Sequence, residues 1–208
     1  PSQLAVSADG AWLAVVNSLE GSVTLIALDA FTASAPIPTG EGACAVTAMP
    51  GGGFAVANAF ADTVSLIDPR QPDRAFGFSV AARVPNAVAA SSAHLAVASR
   101  AAATVMFYPP GGREPSATAE LGAPATALAA LPGDRFVAAL PTELAILSSA
   151  GAVLHRAPIA ATDVTVSGDR IHALTEGGVR VLNDDLTGGD LLAIDEPASA
   201  VAAARAGF

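Results

Sequence analysis

Three histidines, one cysteine and nineteen carboxylates are the groups in this sequence whose types could carry chemistry. His94 and His172 fall at related places in two apolar runs, "HLAVAS" and "IHAL", and His155 stands beside Arg156. No two of them have the close spacing of a metal site, and there is no Cys-x-x-Cys-His haem attachment. Cys44 stands between two alanines with Glu41 nearby. A reactive thiol needs a positive neighbour to lower its pKa, so Cys44 reads as a small buried hydrophobe. The serines of Ser91-Ser92 and Ser148-Ser149 lie in turns without a G-x-S-x-G elbow around them. The chain has no lysine, since all ten basic residues are arginine, and this removes Schiff-base chemistry.

The glycine runs carry no more. Gly40-Glu41-Gly42 and Gly51-Gly52-Gly53 precede no helix and lack the Lys-Ser/Thr of a phosphate loop, so they read as turns. Asp184-Asp185 with Gly188-Gly189-Asp190 lacks the alternating spacing and closing Glu of a calcium loop. A net charge of −9 leaves no positive field for phosphates, which argues against nucleic acid as a partner. With 52% hydrophobic residues the chain has the apolar surface that a disordered chain lacks. Its apolar runs are strand-sized and broken by Gly, Asp, Asn or Pro, so no transmembrane segment is expected. A lone cysteine also excludes a disulfide framework.

The elements that must position these residues are read from a repeat. Leu4, Val46, Val88, Leu128, Val164 and Val201 hold one repeated position, at steps of 42, 42, 40, 36 and 37 residues. Each unit has a short apolar run, a turn rich in Gly, Asp or Pro, a second run, a polar gap and a third β-branched run. A period near 40 with several short strands is the mark of a propeller blade, which carries four strands. Asp9-Gly10, Gly51-Gly52 and Gly133-Asp134 are tight-turn dipeptides between apolar runs. The alanine-rich stretch Ala87–Ala98 favours helix locally, and repetition at the same phase overrides that preference. Outer fourth strands are expected at Ser34–Pro38, Ala75–Ala81, Ser116–Leu121, Val153–Ile159 and Leu191–Ile194, where an unpartnered edge tolerates proline.

The expected architecture is an all-β, single-domain propeller of four-stranded blades, spanning about 1–41, 42–83, 84–122, 123–160 and 161–197. Residues 198–208 repeat the start of a sixth blade, so the chain is expected to belong to a larger ring, with a closed five-bladed ring as the alternative. The missing blades would come from further sequence or from other protein subunits.

Val6-Ser7-Ala8-Asp9-Gly10 with Ala14-Val15-Val16-Asn17, and Ala55-Val56-Ala57-Asn58 with Thr63-Val64-Ser65-Leu66-Ile67-Asp68, resemble the YVTN family of β-propeller repeats. The match is close in units one and two; Ser99 replaces the Asn in unit three, and only the strand pattern survives in units four and five. The resemblance implies a ring of roughly seven blades, as related propellers commonly have, and a bacterial or archaeal protein exported to the periplasm or cell surface. Propellers of this kind occur in surface proteins, scaffold subunits, lactonase-like enzymes and quinoprotein dehydrogenases, so the fold names no reaction.

One constellation suits a site. Loops around one mouth of the propeller axis carry Glu41, Asn58, Glu120, Asp163 and Glu196. Carboxylates and an amide converging there would suit a hard divalent cation such as calcium, or a cationic partner. No other cofactor is expected. Without a catalytic cluster, the expected function is a non-catalytic interaction or scaffold propeller in an extracytoplasmic assembly. The alternative is a lactonase-like or quinoprotein-like enzyme that uses the acidic mouth to hold a cation.

Overall fold

A computed structural model of the chain describes residues 2–71, 73, 75–80, 83–194 and 198–202. Every regular element among them is a strand. Blade one comprises β1 (Leu4–Val6), β2 (Trp12–Asn17), β3 (Ser22–Ala27), β4 (Thr32–Ala33) and β5 (Ile37–Pro38). Blade two is β6 (Ala43–Ala48), β7 (Phe54–Asn58), β8 (Thr63–Ile67) and β9 (Ala75–Ser79). Blade three is β10 (Pro85–Ala90), β11 (Leu95–Ser99), β12 (Thr104–Tyr108) and β13 (Ala117–Glu120). Blade four is β14 (Ala127–Leu131), β15 (Arg135–Ala139), β16 (Leu144–Ser148) and β17 (Val153–Ala157). Blade five is β18 (Asp163–Ser167), β19 (Arg170–Thr175), β20 (Gly178–Leu182) and β21 (Asp190–Ala193). Each is an antiparallel meander with its strands in sequence order. Blade one departs from the pattern in one respect: its fourth strand is split around Ser34–Pro36 into β4 and β5, both paired with β3. Pro36 has no N–H to give a ladder, which suits an interrupted edge.

Five such sheets arranged in a ring around an axis make a β-propeller. The six repeated positions Leu4, Val46, Val88, Leu128, Val164 and Val201 all line the axial channel, a space of about 510 Å³. The core lies between blades, in four apolar clusters that join each blade to the next. In the blade three to four cluster, Phe107 and Phe136 meet with ring centroids 5.4 Å apart, surrounded by alanines that include Ala96, Ala98, Ala138 and Ala145. Small side chains let the sheets approach, and a few large ones fill the space that remains.

Among the described residues no such cluster joins blade five back to blade one. The strands β7, β11 and β12 are buried at every residue, on both faces. Blade one instead leaves Leu4 (61% exposed) and Val6 (52%) open, with Leu13 and Val15 half-buried beside them in register. In blade five, Val164, Ile171, Ala173 and Leu182 pack on blade four, while Val179, Val181 and Leu192 stay half-buried or exposed. Two propeller faces are therefore unpartnered.

The ring of roughly seven blades implied by the resemblance is not what the structure shows: the described residues form five blades. Nor do Ser199–Ala202 form the first strand of a sixth. They lie along the channel, where Val201 N–H donates to Asp163 Oδ2 at 2.8 Å. The small apolar residues at 200–202 carry the strand pattern, but among the described residues no second strand pairs with them; residues 203–208 of the expected sixth blade lie outside those described. No helix of the described chain is long and apolar enough to cross a membrane.

The turn glycines give a paired test. Gly52 and Gly53 both have positive φ (+87° and +85°), the left-handed region that L side chains avoid. A Cβ at Gly52 meets nothing within 4 Å, whereas one at Gly53 falls 2.4 Å from the Ile67 carbonyl oxygen. Gly52→Ala is expected to cost about 1–2 kcal/mol in denaturant unfolding. Gly53→Ala is expected to cost distinctly more, because the Ile67 backbone must move. Equal losses would refute the close-approach argument.

Candidate functional site: the axial channel and its two ends

The channel mouth bordered by the loops that enter the inner strands does not gather the expected residues into a cage. Asp163 begins β18 and lines the channel, but its carboxylate is committed: Oδ1 accepts from Val164 N–H (2.9 Å) and Oδ2 from Val201 N–H. Asn58 is fully buried at the end of β7, its Nδ2 donating to Thr63 Oγ1 (3.0 Å) and Ser65 Oγ (2.9 Å). Its Oδ1 is buried without a hydrogen-bond partner. Glu120 is exposed on β13, the outermost strand of its blade, away from the axis. Glu41 is exposed in the loop before β6. Glu196 lies outside the described residues. Among those described, no three His, Cys, Asp or Glu side chains are grouped to hold a metal ion.

Other carboxylates at this end staple loops. Asp62, with φ of +53°, accepts from Val84 N–H (2.7 Å) through Oδ1 and from Arg83 Nε (3.1 Å) through Oδ2, tying blade two to blade three. The Val84 amide and the Arg83 side chain hold its carboxyl below the ordinary value. Glu143 pairs with Arg156, whose other nitrogen donates to the Leu121 carbonyl at 3.2 Å.

A second set of links recurs two residues before the repeated inner-strand position. Cys44 Sγ lies 3.5 Å from the carbonyl oxygens of Ala57 and Pro85. Asn86 Nδ2 donates to the Ala125 carbonyl (2.7 Å), and Thr126 Oγ1 to those of Ala139 (3.2 Å) and Ala161 (3.4 Å). Pro85, Ala125 and Ala161 hold equivalent places in the following blades, so each side chain latches its blade to the next. Three residue types sharing one hydrogen-bonding role conceal the pattern in the sequence. Burial pushes the Cys44 thiol up, and the residue sits within β6 as an inert packing group.

At the opposite end, the turns between first and second strands hold a polar cluster that sequence reasoning missed. His94 Nδ1 lies 2.7 Å from Asp134 Oδ2, joining blade three to blade four. Asp134, in the left-handed region at φ +57°, also accepts from Ser149 Oγ (2.5 Å) and from Ser91 Oγ. Ser91 Oγ in turn accepts from His94 N–H (2.9 Å). Serine, histidine and aspartate are thus together, but Ser91 is bonded to the carboxylate and not to the far nitrogen of the imidazole, so the arrangement lacks a nucleophile-to-base contact. Beside it, Arg135 Nη2 meets Asp184 Oδ2 at 2.6 Å and ties blade four to blade five. His155 is exposed on β17. His172 sits on the unpartnered face of blade five with its Nδ1 buried and unbonded. The three histidines are on separate elements and do not converge.

With this geometry in view, comparison with known proteins defines the fold and stops there. No family model matches the sequence, and no curated protein does. By structure, 1023 solved chains match, so the architecture is too widely shared to name a function. One of them, Kuenenia stuttgartiensis Hydrazine Synthase, superposes with a TM-score of 0.77 at 18% identity. The alignment covers 94% of this chain and 66% of that one. The chain is a β-propeller scaffold.

Burial raises the Asp134 carboxyl, and hydrogen bonds from Ser149, Ser91 and His94 outweigh it, so its pKa lies below the ordinary value. A lowered folded pKa means that the ionised form stabilises the fold above the unfolded carboxylate value of about 4. That stabilisation is lost as pH falls through the folded value. Asp134→Asn is expected to cost about 1–3 kcal/mol near neutral pH. It is also expected to flatten the fall in melting temperature between about pH 5 and 3. An unchanged acid profile would remove Asp134 as a contributor.

Proposed function

We propose that this chain is a non-catalytic scaffold propeller of YVTN-type repeats in an extracytoplasmic assembly, at the periplasm or cell surface. Its two unpartnered blade faces are covered by further blades of the same kind, from a longer chain or another subunit. The observation that carries this reading is the contrast between blades. Central strands such as β11 and β12 are buried throughout, while Leu4 and Leu192 on the end blades are 61% and 60% exposed.

The occupant is argued from geometry of the same repeat. Val201 takes a sixth place along the channel, and its amide is received by Asp163 of blade five. Another blade presents an apolar, flat, twisted face of the kind that already seats against blades two, three and four. The resemblance of units one and two to YVTN repeats supports the export. A lactonase-like or quinoprotein-like enzyme would need uncommitted carboxylates at the mouth, and Asp62, Glu143 and Asp163 are engaged in loop contacts.

Burying each large apolar side chain contributes roughly 1.5–3 kcal/mol, which is a large part of a domain's net stability of about 5–15 kcal/mol. Residues 1–208 alone are therefore expected to self-associate in light scattering. The double substitution Leu4→Arg with Leu192→Arg is expected to shift the population towards monomer. A monodisperse, cooperatively melting monomer of the unsubstituted chain would overturn the proposal.

A further inference from the structure

The turns that join second to third strands lie at the channel-mouth end, and two of them expose large apolar side chains. Leu19 in blade one is 105% exposed and Phe60 in blade two 75%. They hold the same place, two residues after Asn17 and Asn58, in matching turns of adjacent blades. Blade three has Ala101 there, and the turns of blades four and five expose Pro141, Thr142, Glu176 and Gly177 instead. Leu19 and Phe60 line one shallow groove, together with Glu20 and Glu41. Exposed apolar side chains gathered within a polar rim mark a protein contact.

The linker from β5 to β6 bridges the two turns and fixes the groove. Thr39 N–H donates to the Gly21 carbonyl (2.9 Å), and Phe60 N–H to that of Glu41 (3.1 Å). Gly42 has φ of +73°, and a Cβ on it would fall 2.8 Å from the Phe60 ring. The ring therefore rests against bare backbone while most of its surface faces water. An anchor held in this way loses little freedom when a partner covers it. Leu19 stands fully in solvent, so a small ligand in the groove would leave it wet; covering both side chains takes a macromolecular surface.

Charge selects that surface. Among the described residues neither Glu20 nor Glu41 is in an ion pair, whereas Asp62 and Glu143 at the same end are held by Arg83 and Arg156. We propose that the groove between the blade-one and blade-two turns docks a basic and apolar segment of another protein. A large apolar side chain of that segment packs on Leu19 and Phe60, and an arginine or lysine beside it meets Glu20 and Glu41. The same carboxylates repel nucleic acid and anionic lipid. The groove is separate from the open faces of blades one and five, so this docking does not depend on what covers them.

The test is selection of short random peptides displayed on phage against the immobilised chain, with the double variant Leu19→Ser and Phe60→Ser as counter-target. Both side chains are exposed, so the variant is expected to keep the melting temperature of the parent. Selected peptides are expected to carry a large apolar residue close to arginine or lysine. They are expected to bind the double variant about ten-fold more weakly, mainly through faster dissociation. Glu20→Gln with Glu41→Gln is expected to slow association about three-fold and to weaken its dependence on salt. Selected peptides that are acidic, that bind the double variant equally, or that associate independently of salt would overturn the proposal. Loss of self-association of residues 1–208 in the double variant would assign the groove to a second copy. Loss of sedimentation with phosphatidylcholine vesicles would assign it to lipid, and either result would also overturn the proposal.

Discussion

An antiparallel four-stranded sheet in water has two faces to hide, and everything in this molecule follows from hiding them against copies of themselves. Strands in the middle of the ring contain almost no polar residue: β11 reads LAVAS and β12 TVMFY. Such sequences are tolerable only when both faces are covered. Stacking of blades is the long-range device used, because the described residues include no helix to lay on the sheets and the chain has one cysteine. Interface thickness then sets side-chain size. Alanine dominates where sheets converge near the axis, and Phe54, Phe107, Phe136 and Tyr108 fill the wider parts. The 50 alanines of the sequence are thus a packing solution and not a helix signal.

Apolar stacking is non-directional, so it cannot by itself fix how far one blade slides along the next. The polar contacts supply that register. At the channel, Asn86 and Thr126 reach the carbonyl of the following blade, and Gln3 Oε1 receives the Val46 amide at 3.2 Å. At the two ends, Asp62 with Arg83 and Val84, Asp134 with His94, and Arg135 with Asp184 do the same. At the mouth Asp62, Glu143 and Asp163 are committed to such contacts while Glu41 and Glu120 stand exposed and apart, so no acidic cage forms among the described residues.

Much of the fold was legible in the sequence, because a repeat samples the same physical problem five times. The inner-strand position at Leu4, Val46, Val88, Leu128, Val164 and Val201 was found by spacing alone, and all six side chains do line the channel. Four outer strands fall within the expected stretches or one residue from them, with proline breaking the remaining one in blade one. Strand alternation turns Leu25 inward onto blade two, where it is fully buried, while Leu4 on the same blade stays open. The site was far less legible. Polar residues at a mouth can be enumerated from loops, but which partner each takes depends on residues about forty positions away. Asp163 to Val201 and His94 to Asp134 are such pairs, separated by one repeat.

The His94 cluster shows how a repeat acquires something specific. In blade one the serine three residues after the repeated position, Ser7, bonds to Asp9 of its own turn at 2.5 Å. Blade three keeps the equivalent serine, Ser91, but has Ala93 where Asp9 stood. Its hydroxyl turns instead to Asp134 of the next blade, and that carboxylate also draws in His94 and Ser149. Losing one turn carboxylate thus converts the local bond of blade one into a contact between blades three and four. In a scaffold whose units are otherwise interchangeable, chemistry that depends on position can arise only at such departures from the repeat.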